Sequence, residues 1–248
     1  MKITYNNITI DFFDFDPMPA QVLMTLSGGL DSAALMYLIG KHFPEIEIIP
    51  FTARDPSYPR DAEAVANVSD WLKKHHVEAN IHDLKIYDID QEDRTLVTEQ
   101  QIQQAKIQKP GWKDLPDSGI SKTLQLNDVC QTVKNQYPDA VRCDGMTGNP
   151  PADVMKQLGF YEQAERRRDI SEKRDQKANE RLYRPFVNVD KKFVADIYFQ
   201  NDLMHSLFPL TKSCVGKAEH TDNFTRDCGI CFWCHEKAWA FGINFAVS

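Results

Sequence analysis

Two groups of residues in this sequence have the types and spacing to do chemistry. The first is Ser27-Gly28-Gly29-Leu30-Asp31-Ser32, which follows the short apolar run QVLMTL ending at Leu26. Two glycines after a buried strand let the backbone turn sharply and expose amides around an anion, with no Cβ in the way. Ser27 and Ser32 add hydroxyl donors, and a helix beginning near Asp31 adds the positive end of its dipole. Phosphate is the natural ligand of such a cradle. Asp31 would repel phosphate unless a cation stands between them, and a hard carboxylate oxygen beside a polyphosphate suits Mg2+. A lone glycine pair is otherwise a capped strand-to-helix turn. The lysine of the GxxxxGK(S/T) loop is missing, so ordinary γ-phosphate hydrolysis is not indicated.

The second group is Cys214, Cys228, Cys231 and Cys234, four of the six cysteines of the chain. Thiolates at this spacing can close tetrahedrally around Zn2+. Four protein ligands leave no position for water, which makes such a site structural and gives it the task of folding the C-terminal region. A single CxxC can be a redox dithiol. Two overlapping CxxC units with a remote fourth cysteine favour metal binding instead. His220 and His235 stand nearby as substitutes that a complete cysteine set does not require.

The elements that must position these groups alternate between strand and helix. A hairpin is expected at Ile3–Tyr5 and Ile8–Ile10 around Asn6-Asn7, covering a sheet edge. Strands follow at 21–26, 46–51, 79–84 and 140–143. Between them come a buried helix at 33–39, an amphipathic helix at 61–75 with Ala62, Val65, Val68 and Leu72 on one face, and a helix at 124–135. This order implies a doubly wound, mainly parallel α/β sheet. From Tyr87 to Thr123 the pattern weakens to a helix and a covering loop. DGMTGNPP, at the carboxyl end of the strand at 140–143, lies where open α/β sheets bind ligands, so Gly145, Thr147 and Asn149 are expected to line the pocket as small and polar groups. Residues 162–184 are densely charged and read as a solvated helix.

The chain has 248 residues, enough for one main domain with a small appended lobe, divided near residue 200 into 1–200 and 201–248. Net charge is −7, and the first 100 residues hold 8 basic against 17 acidic side chains, which argues against duplex DNA as a partner. No run approaches the length of a membrane span, and the alternating N-terminus lacks the apolar stretch of a signal peptide. A soluble, cytoplasmic protein is expected, in keeping with a metal-binding use of cysteine.

The run LSGGLDSAAL resembles the pyrophosphatase loop of the N-type PP-loop ATP pyrophosphatases, which include GMP synthetase, NAD synthetase, asparagine synthetase and 7-cyano-7-deazaguanine synthase. PLTKSC followed by CGICFWC is similar to the C-terminal zinc segment of the last of these families. RPFVNVDKKFVADIY resembles the segment that places a lysine near the pyrophosphate, here Lys191 or its neighbour Lys192. The resemblance implies an adenine nucleotide α-hydrolase-like fold with a C-terminal zinc lobe, and ATP, Mg2+ and Zn2+ as cofactors. It also implies attack of a substrate carboxylate on the α-phosphate of ATP, with Ser27, Asp31, Ser32 and Lys191 as the catalytic set. The adenylate would then react with ammonia to give an amide or, with a second ATP, a nitrile. No glutaminase segment is visible, so ammonia would come from solution or a separate partner. Members of the family often form homodimers.

The middle of the chain departs from the deazaguanine pattern. FTARDPSYPRDAE and DGMTGNPPAD stand where the synthases carry their substrate segments, so adenylation is better supported than the deazapurine acceptor. Two other readings compete. RNA thiolation would need sulfur on Cys130 or Cys143. A non-catalytic nucleotide- or RNA-binding module would use Arg166-Arg167-Arg168 with Arg174, Lys177, Arg181 and Arg184, although interspersed acids weaken that stripe.

Overall fold

The computed structural model describes residues 1–54, 59–89, 97–109, 113, 117–160, 174–179 and 181–243. The chain opens as a hairpin of β1 (Lys2–Tyr5) and β2 (Ile8–Asp11), with Tyr5 opposite Ile8. Its turn residues Asn6 and Asn7 both take positive φ, 47° and 58°, which asparagine tolerates and which suits the twist of a two-residue hairpin. The hairpin, expected from the sequence to cover a sheet edge, forms a two-stranded sheet of its own that is not hydrogen-bonded to the main sheet. It packs instead on a helix near the C-terminal end of the chain, where Tyr5 meets Phe193 edge-on at 5.5 Å and Asp196 accepts from the Asn6 amide.

Among the described residues the main sheet has six strands. β3 (Gln21–Thr25) lies between β4 (Glu47–Arg54) and β6 (Val141–Asp144), both parallel to it, and β5 (Lys85–Asp88) adds in parallel outside β4. On the other side β8 (Leu182–Tyr183) pairs in parallel with β6, and β7 (Lys177–Asn179) closes that edge antiparallel. The sheet is thus mainly parallel. Helices cover both faces, which is why its central strands are continuously apolar. Val22, Met24 and Cys143 pack with α1 (Leu30–His42) and α2 (Pro59–His75), while Leu23, Ile49 and Phe51 pack against Val133 of a helix on the opposite face. Between β5 and β6 run α3 (Glu99–Gln108) and α4 (Asp117–Gln136), the helix that carries Val133. Further along, the described residues form the α-helices α5 (Ala152–Gln157), α6 (Lys191–Gln200) and α7 (Phe232–Phe241). α6 carries Phe193 and Asp196, which receive the hairpin.

Three sequence expectations are corrected. The segment at 79–84 makes only a single bridge, Ile81 to Ile48, and the edge strand lies further on, at Lys85–Asp88. That strand buries no side chain fully, so its apolar signal is weak. The helix at 124–135 starts earlier, at Asp117. The charged run read as one helix over 162–184 instead contains β7 and β8 in its described part. Tyr183 decides this: it is buried, and its hydroxyl accepts from the Phe13 amide at 2.6 Å, which ties β8 into the aromatic core of Phe12, Phe13, Phe15 and Phe43. Arg166, Arg167 and Arg168 lie outside the described residues. No helix among the described residues is long and apolar enough to cross a membrane.

Candidate functional site

The chain passes from β3 to β4 and β5 on one side of the sheet, and its return places β6 on the other side of β3. The crevice between β3 and β6 is therefore the topological switch point, the place where an open parallel sheet leaves room for a ligand at its carboxyl edge. Thr25 and Asp144, the last residues of these strands, meet across it through a 2.8 Å hydrogen bond. Asp144 also receives Arg142 and Arg184, each at 3.1 Å. Arg184 is thereby tied into the crevice, and Lys177 lies over the Phe15 ring.

The loop from Ser27 to Ser32 leaves β3 at this crevice. Gly28 takes φ +74°, and a Cβ there would come within 3.1 Å of Ala64 and Val65 on α2, so both conformation and packing require glycine. Ser27 and Ser32 hold the turn closed, with their hydroxyls 3.1 Å apart and the Ser27 amide donating to the Ser32 hydroxyl at 3.2 Å. Gly29 is the N-cap of α1 and supplies no side-chain acceptor, so the first-turn amides of α1 have no side-chain cap. Tyr198 donates to the Leu30 carbonyl at 3.1 Å, and burial pushes its hydroxyl pKa up, which keeps it a donor.

Asp31, in the first turn of α1, meets Lys191 at 2.5 Å, 160 residues later in the chain. Its second oxygen, Oδ1, is buried with no hydrogen-bond partner. Lys191 is the first residue of α6, placed there by Asp190, which caps the helix by accepting from the Lys192 amide at 2.9 Å. Lys192 turns the other way and lies over the Trp239 ring. On its far side Lys191 approaches Glu236 of α7 at 3.7 Å, and Glu236 is only 1% exposed. Glu236 was not foreseen in the sequence, although one acid and one lysine in the otherwise apolar FWCHEKAWAF were a usable signal. Arg142 and Asp144 were also missed, and the alternation of VRCD at a strand end could have drawn attention to them.

Gly145, the first residue after β6, lies against the end of α1. A Cβ there would come within 2.6 Å of the Asp31 carbonyl and 2.7 Å of the Ser32 amide. Gly145→Ala is therefore expected to push the first turn of α1 aside and lower stability by roughly 1–3 kcal/mol. Denaturant titration checks this, and an unchanged midpoint would mean that the helix end yields freely. Further along the same loop, the Gly148 amide donates to Val189 at 2.7 Å, Thr147 is half-buried and Asn149 is buried.

The cysteine quartet assembles beside this site. The sulfurs of Cys214, Cys228, Cys231 and Cys234 all lie within 4.8 Å of one another, and none is in a disulfide. Cys231 and Cys234 are 3.5 Å apart, and Cys228 and Cys234 3.9 Å. A tetrahedron with metal–sulfur bonds of about 2.3 Å has edges of about 3.8 Å, so a single ion fits. A multi-iron cluster would hold the four sulfurs further apart. The amides of Gly216, Cys228 and Cys231 donate to Cys214 and Cys228 sulfurs at 3.2–3.3 Å, the arrangement that stabilises bound thiolate. Hydrogen bonding with Cys214 and Cys234 draws the Cys231 thiol below its ordinary pKa. No histidine belongs to the group: His235 packs against the Phe160 ring. Lys237, buried on α7, meets Asp227 at 3.2 Å beside Cys228. The segment leading to Cys214 touches the glycine loop directly, the Lys212 amide donating to the Gly28 carbonyl at 2.8 Å.

The two remaining cysteines differ. Cys143 is fully buried in the sheet core, where desolvation raises its thiol well above the usual value. Cys130 is half-buried on α4 beside Arg142, and burial raises its pKa despite the cation.

These features define an α/β protein with a glycine loop at its switch point and four cysteines placed so that they could hold a metal ion. No protein-family model matches the sequence, and no curated protein does. Among solved structures, the chain is similar to NMN synthetase from Francisella tularensis, with 13% identity over 94% of this chain and 81% of that one and a TM-score of 0.44. It is also similar to the U34-tRNA thiolase NcsA from Methanococcus maripaludis, solved with its 4Fe-4S cluster, with 14% identity over 90% and 71% of the two chains and a TM-score of 0.45.

Proposed function

We propose that this chain is an ATP-dependent ligase of the PP-loop type, which adenylates a substrate carboxylate, releases pyrophosphate and transfers the acyl group to ammonia. The observation that carries this reading is the loop Ser27–Ser32 at the switch point, closed by its own serines, with Asp31 joined to Lys191. In it, Leu26 to Ser32 bind the departing pyrophosphate. Loop amides and the amino end of α1 face the oxygens on which charge accumulates as the α–β bond breaks, so they stabilise the transition state more than the ground state. Lys191 brings a fixed cation to the same end of α1. The buried Oδ1 of Asp31 is the protein oxygen that would hold Mg2+, which supplies charge neutralisation at the phosphates. Gly145, Thr147 and Asn149 border the nucleotide from the β6 side. The four cysteines hold structural Zn2+, and residues 201–248 act as the lobe that this ion organises on a nucleotide-binding unit of residues 1–200. A 7-carboxy-7-deazaguanine-like acid is the acceptor to which the sequence resemblance leads. RNA thiolation is less well served, because Cys143 is sealed in the core.

The test is pyrophosphate release by the zinc-loaded protein with ATP, Mg2+ and ammonium, with and without 7-carboxy-7-deazaguanine, followed by mass spectrometry of the products. An amide or nitrile is expected with the acid, and Asp31→Asn should reduce the rate by about 10²–10³-fold, the usual cost of losing one transition-state contact. Pyrophosphate release that appears only when cell extract is added would replace the acceptor. Silence in every condition would overturn the ligase and favour a nucleotide-binding module.

A further inference from the structure

Apart from the glycine loop, the carboxyl edge of the sheet carries a second concavity. It lies where β5 ends at Asp88, between α3 and α4, and has a volume of about 850 Å³, within the range of small-molecule sites. Ile89, Val97 and Leu124 give it apolar wall, while Gln101, Gln104 and Gln125 bring amides. Gln125 is the informative one. It is 8% exposed, and among the described residues neither its amide nitrogen nor its amide oxygen has a hydrogen-bond partner. A buried amide left unpaired at both ends is costly, and native interiors complete one with protein, ordered water or a ligand. No lysine, arginine or histidine is among the described lining residues, and of the two acids there, Asp88 and Asp128, the first is paired with Arg54. Among the described residues, phosphate or carboxylate groups therefore have no cation to meet here, and Asp128 would oppose them. What fits is an uncharged planar ligand that offers a donor and an acceptor side by side, the pattern that a glutamine amide reads bidentately on a base edge.

We infer that this cavity binds a free heterocyclic base through the Gln125 amide, as a subsite distinct from the phosphate loop. If the ligase reading holds, its occupant is the ring portion of the acceptor; the binding itself does not depend on that reading. The test is equilibrium binding to the full zinc-loaded chain without ATP, by calorimetry, with guanine, adenine, cytosine and uracil, each compared with its 5′-monophosphate. Saturable binding of at least one base is expected, at least tenfold tighter than its monophosphate. Gln125→Leu should weaken it by tenfold or more while raising the melting temperature by roughly 2–4 °C, because the unpaired amide is gone. A merely structural glutamine would lower that temperature instead. Gln125→Glu, which keeps the shape but loses the donor, should also weaken binding. Absence of base binding by the unaltered protein, or equal binding by both variants, overturns the inference whether or not the protein cleaves ATP.

Discussion

Lys191→Met is expected to cost roughly 3–5 kcal/mol of folding stability and to abolish pyrophosphate release. The side chain lies between Asp31 on α1 and Glu236 on α7, and removing its cation leaves two carboxylates facing a region from which water is largely excluded. Breaking a buried ion pair from one side is far more damaging than replacing all of its members, since the cost lies in the charge left behind. The double variant Lys191→Met with Glu236→Gln should therefore recover a substantial part of the loss while remaining inactive. Urea titrations of the two proteins measure this directly. A loss below 1 kcal/mol for the single variant, or no recovery in the double, would show that solvent already screens the cluster.

Cys234→Ser, or removal of metal by a chelator, is the second large effect. Structural zinc contributes on the order of 10 kcal/mol to the small domains it folds, and Cys234 is the most buried of the four ligands. Loss of the ion should release the segment between Cys214 and Cys234 together with the start of α7. The glycine loop should feel it too, because Lys212 holds Gly28 from that segment. Hydrogen exchange makes the prediction specific: the Lys212 amide should lose protection along with α7, while the amides of β3 and β4 keep theirs. One zinc per chain is expected by mass spectrometry under native conditions. Undiminished protection at Lys212 in the metal-free protein would mean that packing of Phe241 against Tyr198 and Phe208 holds the lobe alone.

The parts legible in the sequence were those whose chemistry is local. Ser27–Ser32 declares itself because glycine conformation, flanking strand and helix start all lie within one short string, and the cysteines because three of four ligands are nearly contiguous. Lys191 could be nominated from its segment, but not separated from Lys192; that separation comes from Asp190, whose cap sends one lysine toward Asp31 and the other toward Trp239. Arg142 and Asp144 left a trace in VRCD, but their meeting with Arg184 was illegible because it exists only after β8 has docked beside β6. In the described end of the charged run, 174–179 and 181–184, the same docking overrode the helical look: intrinsic preference for a helix loses when a ladder and a buried tyrosine are available. Lys85–Asp88 escaped for the opposite reason, since a half-exposed edge strand has little apolar pattern to read.

The five residues from Gly145 to Asn149 run from the start of α1, which carries Asp31, to the residue just before the cap of α6, which carries Lys191. At one end Gly145 abuts the backbone of Asp31 and Ser32; three residues on, Gly148 is bonded to Val189, just ahead of the Asp190 cap. A ligand that displaced this segment would act on the supports of both charges. The two halves of a reaction would then be thermodynamically linked: whatever change in affinity the first ligand causes for the second, the second must return to the first in equal measure. Both affinities would then pass through a single glycine contact.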